Sequence, residues 1–339
     1  MSAERIAVLG GGSWGATLAA QLAGNGHDVM IWEFDRGVAE KLRTERTLAT
    51  LPQLKLPSSV QITNTLADAL KGRPIVLSVT PSHTVRATMI HAVATGMLEK
   101  GAMMISATKG LEDGTFATMS QIIREAFPAA GDIVILSGPS HAEEVASKRP
   151  VAMVAACAST KAAERVQDLF ISENFRVYTS NDPLGVELGG SLKNIYAVAC
   201  GVVDGLDLGD NTKAALLTRG LAEMTRLGTA MGAKTTTFFG LSGLGDLIVT
   251  CGSRHSRNRL LGEKVGSGKT LALALAEMTM VAEGVVTCRA AQRLAQDRGV
   301  NMPIVNEMYQ ILFAGKSARD SMKDLMTRQT RAEMEGIVV

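Results

Sequence analysis

Apolar positions follow two different periods along this sequence. In the first half, short apolar runs alternate with segments of helical periodicity. Such runs are typical of buried strands, and strands that alternate with helices favour a mostly parallel sheet covered on both faces. The predicted strands are Ile6–Leu9, Val29–Trp32, Val60–Thr63, Ile75–Val79, Met103–Ala107, Ile133–Leu136, Val151–Ala156 and Phe175–Tyr178. Helices are predicted between several of them, over His83–Thr95, Thr115–Ala126 and Lys161–Phe170.

Beyond Pro183 the apolar residues recur every three or four positions, and apolar runs typical of strands become scarce. This period predicts a helical domain. Its helices are expected at Gly185–Val203, Lys213–Met231, Ser256–Val265, Leu271–Met278, Val285–Asp297 and Ile304–Ala314. We therefore predict an α/β domain of the Rossmann type over residues 1–184 and an all-helical domain over residues 185–339, a length that suits two hydrophobic cores.

A glycine-rich turn follows the first predicted strand and opens a helical pattern. Gly10, Gly12 and Gly15 have the spacing of a dinucleotide-binding turn. The first glycine permits the tight turn, the second lets the backbone approach a pyrophosphate, and the third lets the helix pack close to the strand. The next apolar run ends in Glu33, eighteen residues after Gly15, where such folds place a ribose-binding carboxylate. The alternative is an ordinary strand–helix pair with turn glycines.

Composition narrows the possible partners. The chain has 339 residues, 46% hydrophobic and 20% charged, with a formal net charge of +2. So small a charge, without a basic cluster interleaved with aromatic residues, predicts no nucleic-acid partner. We expect no stable membrane insertion, since no apolar stretch of ~20 residues occurs, and a cytoplasmic location, since a strand begins within a few residues of the start. Four dispersed cysteines predict reduced thiols, and no spacing predicts a metal site.

Several candidate site residues follow predicted strands of the first domain. In parallel sheets the ligand lies outside the carboxyl ends of the strands. Lys109 follows the fifth strand, where it could meet an anion or simply be solvated. Ser137-Gly-Pro-Ser140 precedes a helical segment and offers backbone N–H groups and a hydroxyl, for an anion or as a plain N-cap. His83 and His141 each follow a Pro-Ser pair and could contact a ligand or be loop residues.

In the helical domain, Lys193 is the foremost candidate. Gly189 and Gly190 lie inside its predicted helix at a cost of about 1 kcal/mol each, which indicates a close approach on that face. Apolar surroundings lower the pKa of a lysine toward the range of a general base, although Lys193 could instead extend from a helix flank to solvent. A glycine-dense loop brings Asp246, and Arg254, Arg257 and Arg259 offer guanidinium groups that suit phosphate oxygens.

Taken together, six ordered motifs resemble the NAD(P)-dependent sn-glycerol-3-phosphate dehydrogenases of the bacterial type. They are Gly10–Gly15, Thr108–Gly110, Ser137–Glu144, Leu188–Asn194, Gly243–Asp246 and Ser256–Asn258. The resemblance covers essentially the whole chain. It implies a reversible reduction of dihydroxyacetone phosphate to sn-glycerol 3-phosphate with NAD or NADP as coenzyme, for glycerophospholipid synthesis, and we expect a homodimer.

The resemblance also implies roles for individual residues. Lys193 is the catalytic acid/base, acting on the oxygen at C2. The implied substrate-binding residues are Lys109, Gly138, Ser140, Lys193, Asp246, Ser256, Arg257 and Asn258. The implied cofactor-binding residues are Ser13, Trp14, Phe34, Lys109, Ala142, Arg257, Val281 and Glu283. The glycine turn and the end of the second strand add Gly10, Gly12, Gly15 and Glu33 to the predicted cofactor site.

Glu33 departs from the small or uncharged residue that bacterial members often carry there. A carboxylate at this position accepts hydrogen bonds from a ribose and repels a 2′-phosphate, so we predict a preference for NAD(H).

Two other interpretations of the function of this chain stay open. One is another two-domain dehydrogenase, of the hydroxyacid or 6-phosphogluconate type; the other is a nucleotide-sensing regulator without catalysis.

Overall fold

A computed structural model describes residues 3–278, 282–330 and 332–333 of the chain. It contains two compact units. Unit 1 comprises the described residues up to Thr108 together with Met119–Pro183, and unit 2 comprises Lys109–Thr118 and the described residues from Leu184 onward. The predicted α/β fold followed by a helix-rich part is confirmed.

Unit 1 is built on one eight-stranded sheet. Its strands are β1 (Arg5–Leu9), β2 (Asp28–Trp32), β3 (Gln61–Thr63), β4 (Ile75–Ser78), β5 (Met103–Ser106), β6 (Ile133–Ser137), β7 (Val151–Ala156) and β8 (Phe175–Ser180). Their order is β3-β2-β1-β4-β5-β6-β7-β8. Every pair is parallel except β6 with β7. All eight predicted runs therefore form strands, each within a few residues of its predicted ends.

Helices connect these strands. They are α1 (Ser13–Gly24), α2 (Arg36–Glu45), α3 (Leu66–Leu70), α4 (Val85–Ala94), α5 (Met119–Ala126), α6 (Ala142–Ala146) and α7 (Thr160–Phe170). Asp35 and Ser159 cap α2 and α7 by accepting from backbone N–H groups of the first turn. The five residues of α6 are too few to carry the chain back along the sheet, which accounts for the antiparallel direction of β7.

Unit 2 is helical. Its helices are α8 (Pro183–Gly205), α9 (Gly209–Ala230), α10 (Thr235–Phe238), α11 (Asp246–Gly252), α12 (Arg257–Gly266), α13 (Leu271–Ala276), α14 (Glu283–Asp297), α15 (Pro303–Phe313) and α16 (Ala318–Met326). The central helix, α8, is buried without interruption from Gly185 to Val203. A helix that is apolar on all sides belongs inside a core, and α8 forms the axis of this one.

The structure corrects three details of the sequence prediction. The helix expected at Thr115 begins at Met119, because Phe116 has a positive φ of 61° and Thr118 forms a β-bridge with Leu111. The glycine-dense stretch before Asp246, expected as a loop, forms a π-helical turn over Leu241–Gly245 that continues into α11. The helices α2, α3, α10 and α16 lie outside the predicted segments.

The segment Lys109–Thr118 groups with unit 2, although the sequence pattern assigns it to the α/β domain. Leu111 is buried in the core of unit 2, and the backbone N–H of Gly110 donates to Ser191 Oγ of α8 at 2.9 Å. These contacts place Lys109 in the same unit as Lys193.

Candidate active site

The glycine turn of unit 1 has the geometry that phosphate binding requires. Gly10 has a φ of 116°, and a Cβ on Gly15 would lie 2.0 Å from the carbonyl oxygen of Gly10. Gly12 precedes α1 without any side-chain cap, and a Cβ built on it meets nothing within 4 Å. The first N–H groups of α1 are thus left for an anion, with open space beside Gly12.

Glu33 lies against this turn. Its Oε2 accepts from the backbone N–H of Gly11 at 2.8 Å, and its Oε1 accepts from that of Asp35 at 3.0 Å. Two backbone donors therefore fix the carboxylate beside the turn. The neighbouring Phe34 is 82% exposed, and its ring meets that of Trp32 edge to face, with centroids 6.2 Å apart.

The remaining predicted residues of unit 1 lie close to the ends of strands. Ser13 opens α1 and its hydroxyl bonds Thr50 Oγ1 at 3.0 Å, while Trp14 packs on the core. Gly138 follows β6 with a φ of 137°, and Ser140 Oγ donates to its carbonyl at 2.9 Å. Ala142 begins α6. His83 lies in a 3₁₀ turn, and His141 is the N-cap residue of α6.

In unit 2, two lysines share one buried carboxylate. Lys193, 5% exposed, lies on α8 and donates from Nζ to Asp246 Oδ1. Lys109 Nζ lies 2.6 Å from Oδ2 of the same residue, which is 1% exposed. The predicted catalytic residue and two predicted substrate-binding residues, Lys109 and Asp246, are therefore in direct contact.

Burial governs the protonation of this cluster. It lowers the pKa of Lys193 to about 7, a shift that the nearby Asp246 opposes and the charge of Lys109 reinforces. Burial would raise the pKa of Asp246, but the two lysines outweigh it and hold that pKa below its ordinary value. One carboxylate cannot fully compensate two ammonium groups in a buried site, so Lys193 can release and regain a proton near neutral pH.

Thr250 is a member of this cluster that the sequence reasoning missed. Its Oγ1 accepts from Lys193 Nζ at 2.7 Å and lies 3.3 Å from Asp246 Oδ1. Thr250 is four residues after Asp246 on α11, so the helical period brings both side chains to one face. Recognising a helix rather than a loop at Asp246 would have found it.

Asn194, the residue after Lys193, belongs to a second hydrogen-bonded group, which joins three helices. Asn194 Oδ1 accepts from Asn258 Nδ2 at 3.0 Å, and Asn258 Oδ1 accepts from the backbone N–H of Gly284 at 2.9 Å. The first turns of α12 and α14 thereby meet α8. The sequence pattern alone predicts no role for Asn194.

The other predicted residues of unit 2 flank this junction. Ser256 caps α12 by accepting from the N–H of Arg259, while Arg257 is the first residue of α12 and is exposed. Glu283 begins α14. Val281 lies outside the described residues.

The described residues have several other features outside these two clusters. No group of three or more His, Cys, Asp or Glu residues there could hold a metal ion. Cys157, Cys200, Cys251 and Cys288 are buried and free. In the described part of the chain, no helix combines the length and apolarity needed to cross a bilayer. A cavity of about 920 Å³ in unit 2 is bordered by residues such as Arg219, Glu223 and Arg226, and by none of the predicted site residues.

A dinucleotide-binding turn in an α/β unit and a buried lysine–carboxylate cluster in a helical unit define the class of two-domain, nicotinamide-dependent dehydrogenases. The family model for the NAD-dependent glycerol-3-phosphate dehydrogenase N-terminus matches residues 5–163, and the model for the C-terminus matches residues 182–323. The chain belongs to the NAD-dependent glycerol-3-phosphate dehydrogenase family.

Individual relatives agree with the family models. The chain is 49% identical to a glycerol-3-phosphate dehydrogenase [NAD(P)+] of Citrifermentans bemidjiense, covering 98% of this chain and 99% of the relative. It is 48% identical, with the same coverage, to the enzyme of that name from Geobacter sp. strain M21. Among solved structures, glycerol-3-phosphate dehydrogenase from Coxiella burnetii has a TM-score of 0.91 at 33% identity, covering 96% of this chain and 99% of that one.

Proposed function

We propose that this enzyme reduces dihydroxyacetone phosphate reversibly to sn-glycerol 3-phosphate with NAD(P)H. The observation that carries the proposal is the buried Lys193 amine, held by Asp246 and Thr250 with Lys109 on the same carboxylate. The relatives are named for glycerol 3-phosphate and NAD(P)+. The predicted site residues give the proposal its chemistry.

Lys193 is the proposed acid/base. In the direction of reduction its ammonium group donates a proton to the oxygen at C2 of the substrate, and in the direction of oxidation its neutral amine takes the hydroxyl proton. A pKa of about 7 allows both at neutral pH. Asp246 and Thr250 orient the amine, and Lys109 adds positive charge for the oxygen or the phosphate of the substrate.

Arg257, Ser256 and Asn258 form the proposed phosphate site in unit 2. They lie at the start of α12, where the helix dipole favours an anion. The Arg257 guanidinium can donate two parallel hydrogen bonds to phosphate oxygens. We place Gly138 and Ser140 of unit 1 in the substrate site as well, in keeping with the family motif.

The residues of unit 1 fit a bound dinucleotide. The pyrophosphate is assigned to the Gly10–Gly15 turn, because Gly12 leaves space there and α1 has no side-chain cap. When bound, the nicotinamide supplies or accepts the hydride at C2. Ser13, Trp14, Glu33, Phe34 and Ala142 are the other proposed contacts in unit 1, with Lys109, Arg257, Val281 and Glu283 from the rest of the chain.

The test is an assay of purified enzyme with dihydroxyacetone phosphate and NADH or NADPH, followed at the nicotinamide absorbance. Formation of sn-glycerol 3-phosphate in proportion to coenzyme oxidised supports the proposal. A panel containing 2-oxoacids and 6-phosphogluconate with the matching coenzyme separates the other dehydrogenase classes. Coenzyme binding without turnover of any substrate would instead identify a nucleotide-sensing regulator.

We also propose that the enzyme is a cytoplasmic homodimer that supplies glycerophospholipid synthesis, as the family resemblance implies. Light scattering coupled to size-exclusion chromatography tests the homodimer: a mass of about twice the 35.8 kDa chain is expected. Fractionation of the source cells tests the cytoplasmic location. A strain depleted of the enzyme should require added glycerol 3-phosphate to make phospholipid.

A further inference from the structure

A buried tyrosine joins the helix of Lys193 to two other helices. Tyr196 follows Lys193 by three residues on α8 and is fully buried. Its hydroxyl donates to Glu223 Oε2 of α9 at 3.2 Å. Glu223 also accepts from the backbone N–H groups of Ile304 and Val305, at 2.7 and 3.2 Å, in the first turn of α15. One carboxylate therefore fixes α8, α9 and α15 together.

Glycines make several other contacts of α8 close but non-directional. A Cβ on Gly201 would lie 1.9 Å from the carbonyl oxygen of Arg259 on α12, and one on Gly262 would lie 1.8 Å from that of Val198. A Cβ on Gly189 would lie 2.7 Å from the carbonyl oxygen of Ser242, in the turn before Asp246. Such faces set how closely the helices approach, but they leave rotation and sliding of α8 to be fixed by bonds with a direction.

The ring of Tyr196 fits a gap that Gly220 creates on α9. A Cβ there would lie 2.6 Å from Cδ1 of the ring. The ring position and the bond to Glu223 together supply the directional contact on the α9 side, and the Asn194–Asn258 bond supplies it on the α12 side. Lys193 directly precedes Asn194 and lies three residues before Tyr196 on α8.

We propose that Tyr196 and Glu223 are positioning residues that fix the rotation and axial position of α8, and hence the place of Lys193 Nζ relative to Asp246 and Thr250. This inference rests on the proposed role of Lys193. Neither residue bonds Lys193 directly; both act through the backbone of α8. A displacement of the order of 1 Å in a catalytic group can cost as much as ~10²-fold in rate, so a hydrogen bond outside the site can govern kcat.

The test compares Tyr196→Phe with Tyr309→Phe. Tyr309 lies on α15 of the same unit, and its hydroxyl makes no hydrogen bond within the part of the chain that the structure describes, so it controls for the loss of a tyrosine hydroxyl. Coenzyme-binding stoichiometry gives the concentration of folded sites, and rates are measured well below the unfolding midpoint. We expect Tyr196→Phe to lower kcat for dihydroxyacetone phosphate at least ~5-fold, with KM values within ~2-fold, and Tyr309→Phe to leave kcat unchanged.

Gly220→Ala gives an independent perturbation, since it displaces the Tyr196 ring without removing a polar group. It should lower kcat in the same manner as Tyr196→Phe. The variant Lys193→Ala distinguishes failure of the proposed catalytic role of Lys193 from failure of the positioning proposal. If that variant retains activity, the proposed role of Lys193 fails. If it is inactive while Tyr196→Phe has the kcat of the parent per folded site and only a lower unfolding midpoint, Tyr196 is purely structural and the positioning proposal alone is overturned.

Discussion

At the scale of single residues, the lysine–aspartate–lysine cluster determines how the enzyme should respond to pH. Burial lowers the pKa of Lys193 to about 7, so the ammonium form that donates a proton is lost above that pH. We expect kcat for reduction of dihydroxyacetone phosphate to fall as pH rises through about 7, and kcat for oxidation of sn-glycerol 3-phosphate to rise over the same range.

The variant Lys193→Ala checks the assignment of this pH dependence. Its kcat should be lower by a factor on the order of 10²–10⁴ and should lose the pH step near 7, with coenzyme affinity nearly intact. Lys264 lies on α12 and pairs with Glu277. Its substitution by Ala is the control, and we expect it to leave kcat at the parental value. Activity of Lys193→Ala within a few-fold of the parent would remove this residue from the catalytic role.

Arg257 should act on the phosphate of the substrate. A charge-assisted hydrogen bond is worth roughly 1.5–3 kcal/mol, so Arg257→Ala should lower kcat/KM for dihydroxyacetone phosphate at least ~10-fold. Dihydroxyacetone, which lacks the phosphate, should be affected much less. The nearby exposed Arg254, substituted in the same way, is the control. Equal losses for both substrates would argue against a phosphate contact.

Coenzyme preference should depend on Glu33. The backbone N–H groups of Gly11 and Asp35 hold its carboxylate beside the glycine turn, whereas Arg36 begins α2 and is exposed. A fixed carboxylate repels a 2′-phosphate by enough for ~10-fold discrimination near a surface. We expect kcat/KM to favour NADH in the parent and the ratio to move toward NADPH in Glu33→Ser, with Glu45→Ser as a control on α2. A parent that prefers NADPH would refute this prediction.

At the scale of elements, close packing between α8 and α12 depends on glycine. Gly262→Ala places a methyl group 1.8 Å from the carbonyl oxygen of Val198, so one helix must move. Overpacking of this kind typically costs about 1–3 kcal/mol of stability, and we expect a loss at or above that range in denaturant titrations. Gly252→Ala on α11 is the matched control, because a Cβ there meets nothing within 4 Å. Equal stability of the two variants would contradict the packing argument.

The same elements show what the sequence can and cannot predict. Apolar runs identified inner strands such as β4 and β5 because buried parallel strands are continuous in apolar residues, whereas β8 alternates buried and exposed positions. The glycine turn was recognisable from its fixed spacing. The helices α2 and α3 were missed because each offers few apolar positions: α3 has five residues, and α2 buries only Ala39 and Leu42. The turn before Asp246 was mistaken for a loop because its glycines serve close packing against Phe238 and α8. Thr250 was missed as a consequence.

Contacts distant in the sequence lie beyond such patterns. The resemblance to a known family assigned Lys109, Lys193 and Asp246 to the site, but neither composition nor period indicates that one carboxylate serves both lysines. The grouping of Lys109–Thr118 with unit 2 likewise depends on tertiary contacts of Leu111 and Gly110. Spacing within one element can be read from sequence, whereas the partner of an element is decided by packing.

At the scale of the whole molecule, buried Glu223 should make folding stability depend on pH. Burial raises its pKa to about 7, against the bonds from the N–H groups of Ile304 and Val305, which lower it. The folded protein therefore binds a proton that the unfolded chain releases near its ordinary pKa of 4.5. The contribution of this group is full below about pH 4.5 and is lost as pH rises through 7, by an amount on the order of 3 kcal/mol.

Glu223→Gln isolates this contribution, because glutamine does not titrate. Its absolute stability is expected to be lower at acidic pH, since an amide cannot accept from both backbone donors with the same geometry. The free energy of unfolding of the parent minus that of the variant should then decrease between pH 5 and pH 8, and level off above that range. Lys193, whose folded pKa is lowered, acts in the opposite direction only above pH 7, so the decrease between pH 5 and pH 7 reports on Glu223. A difference that stays constant from pH 5 to 8 would show that Glu223 is ionised in the folded protein throughout.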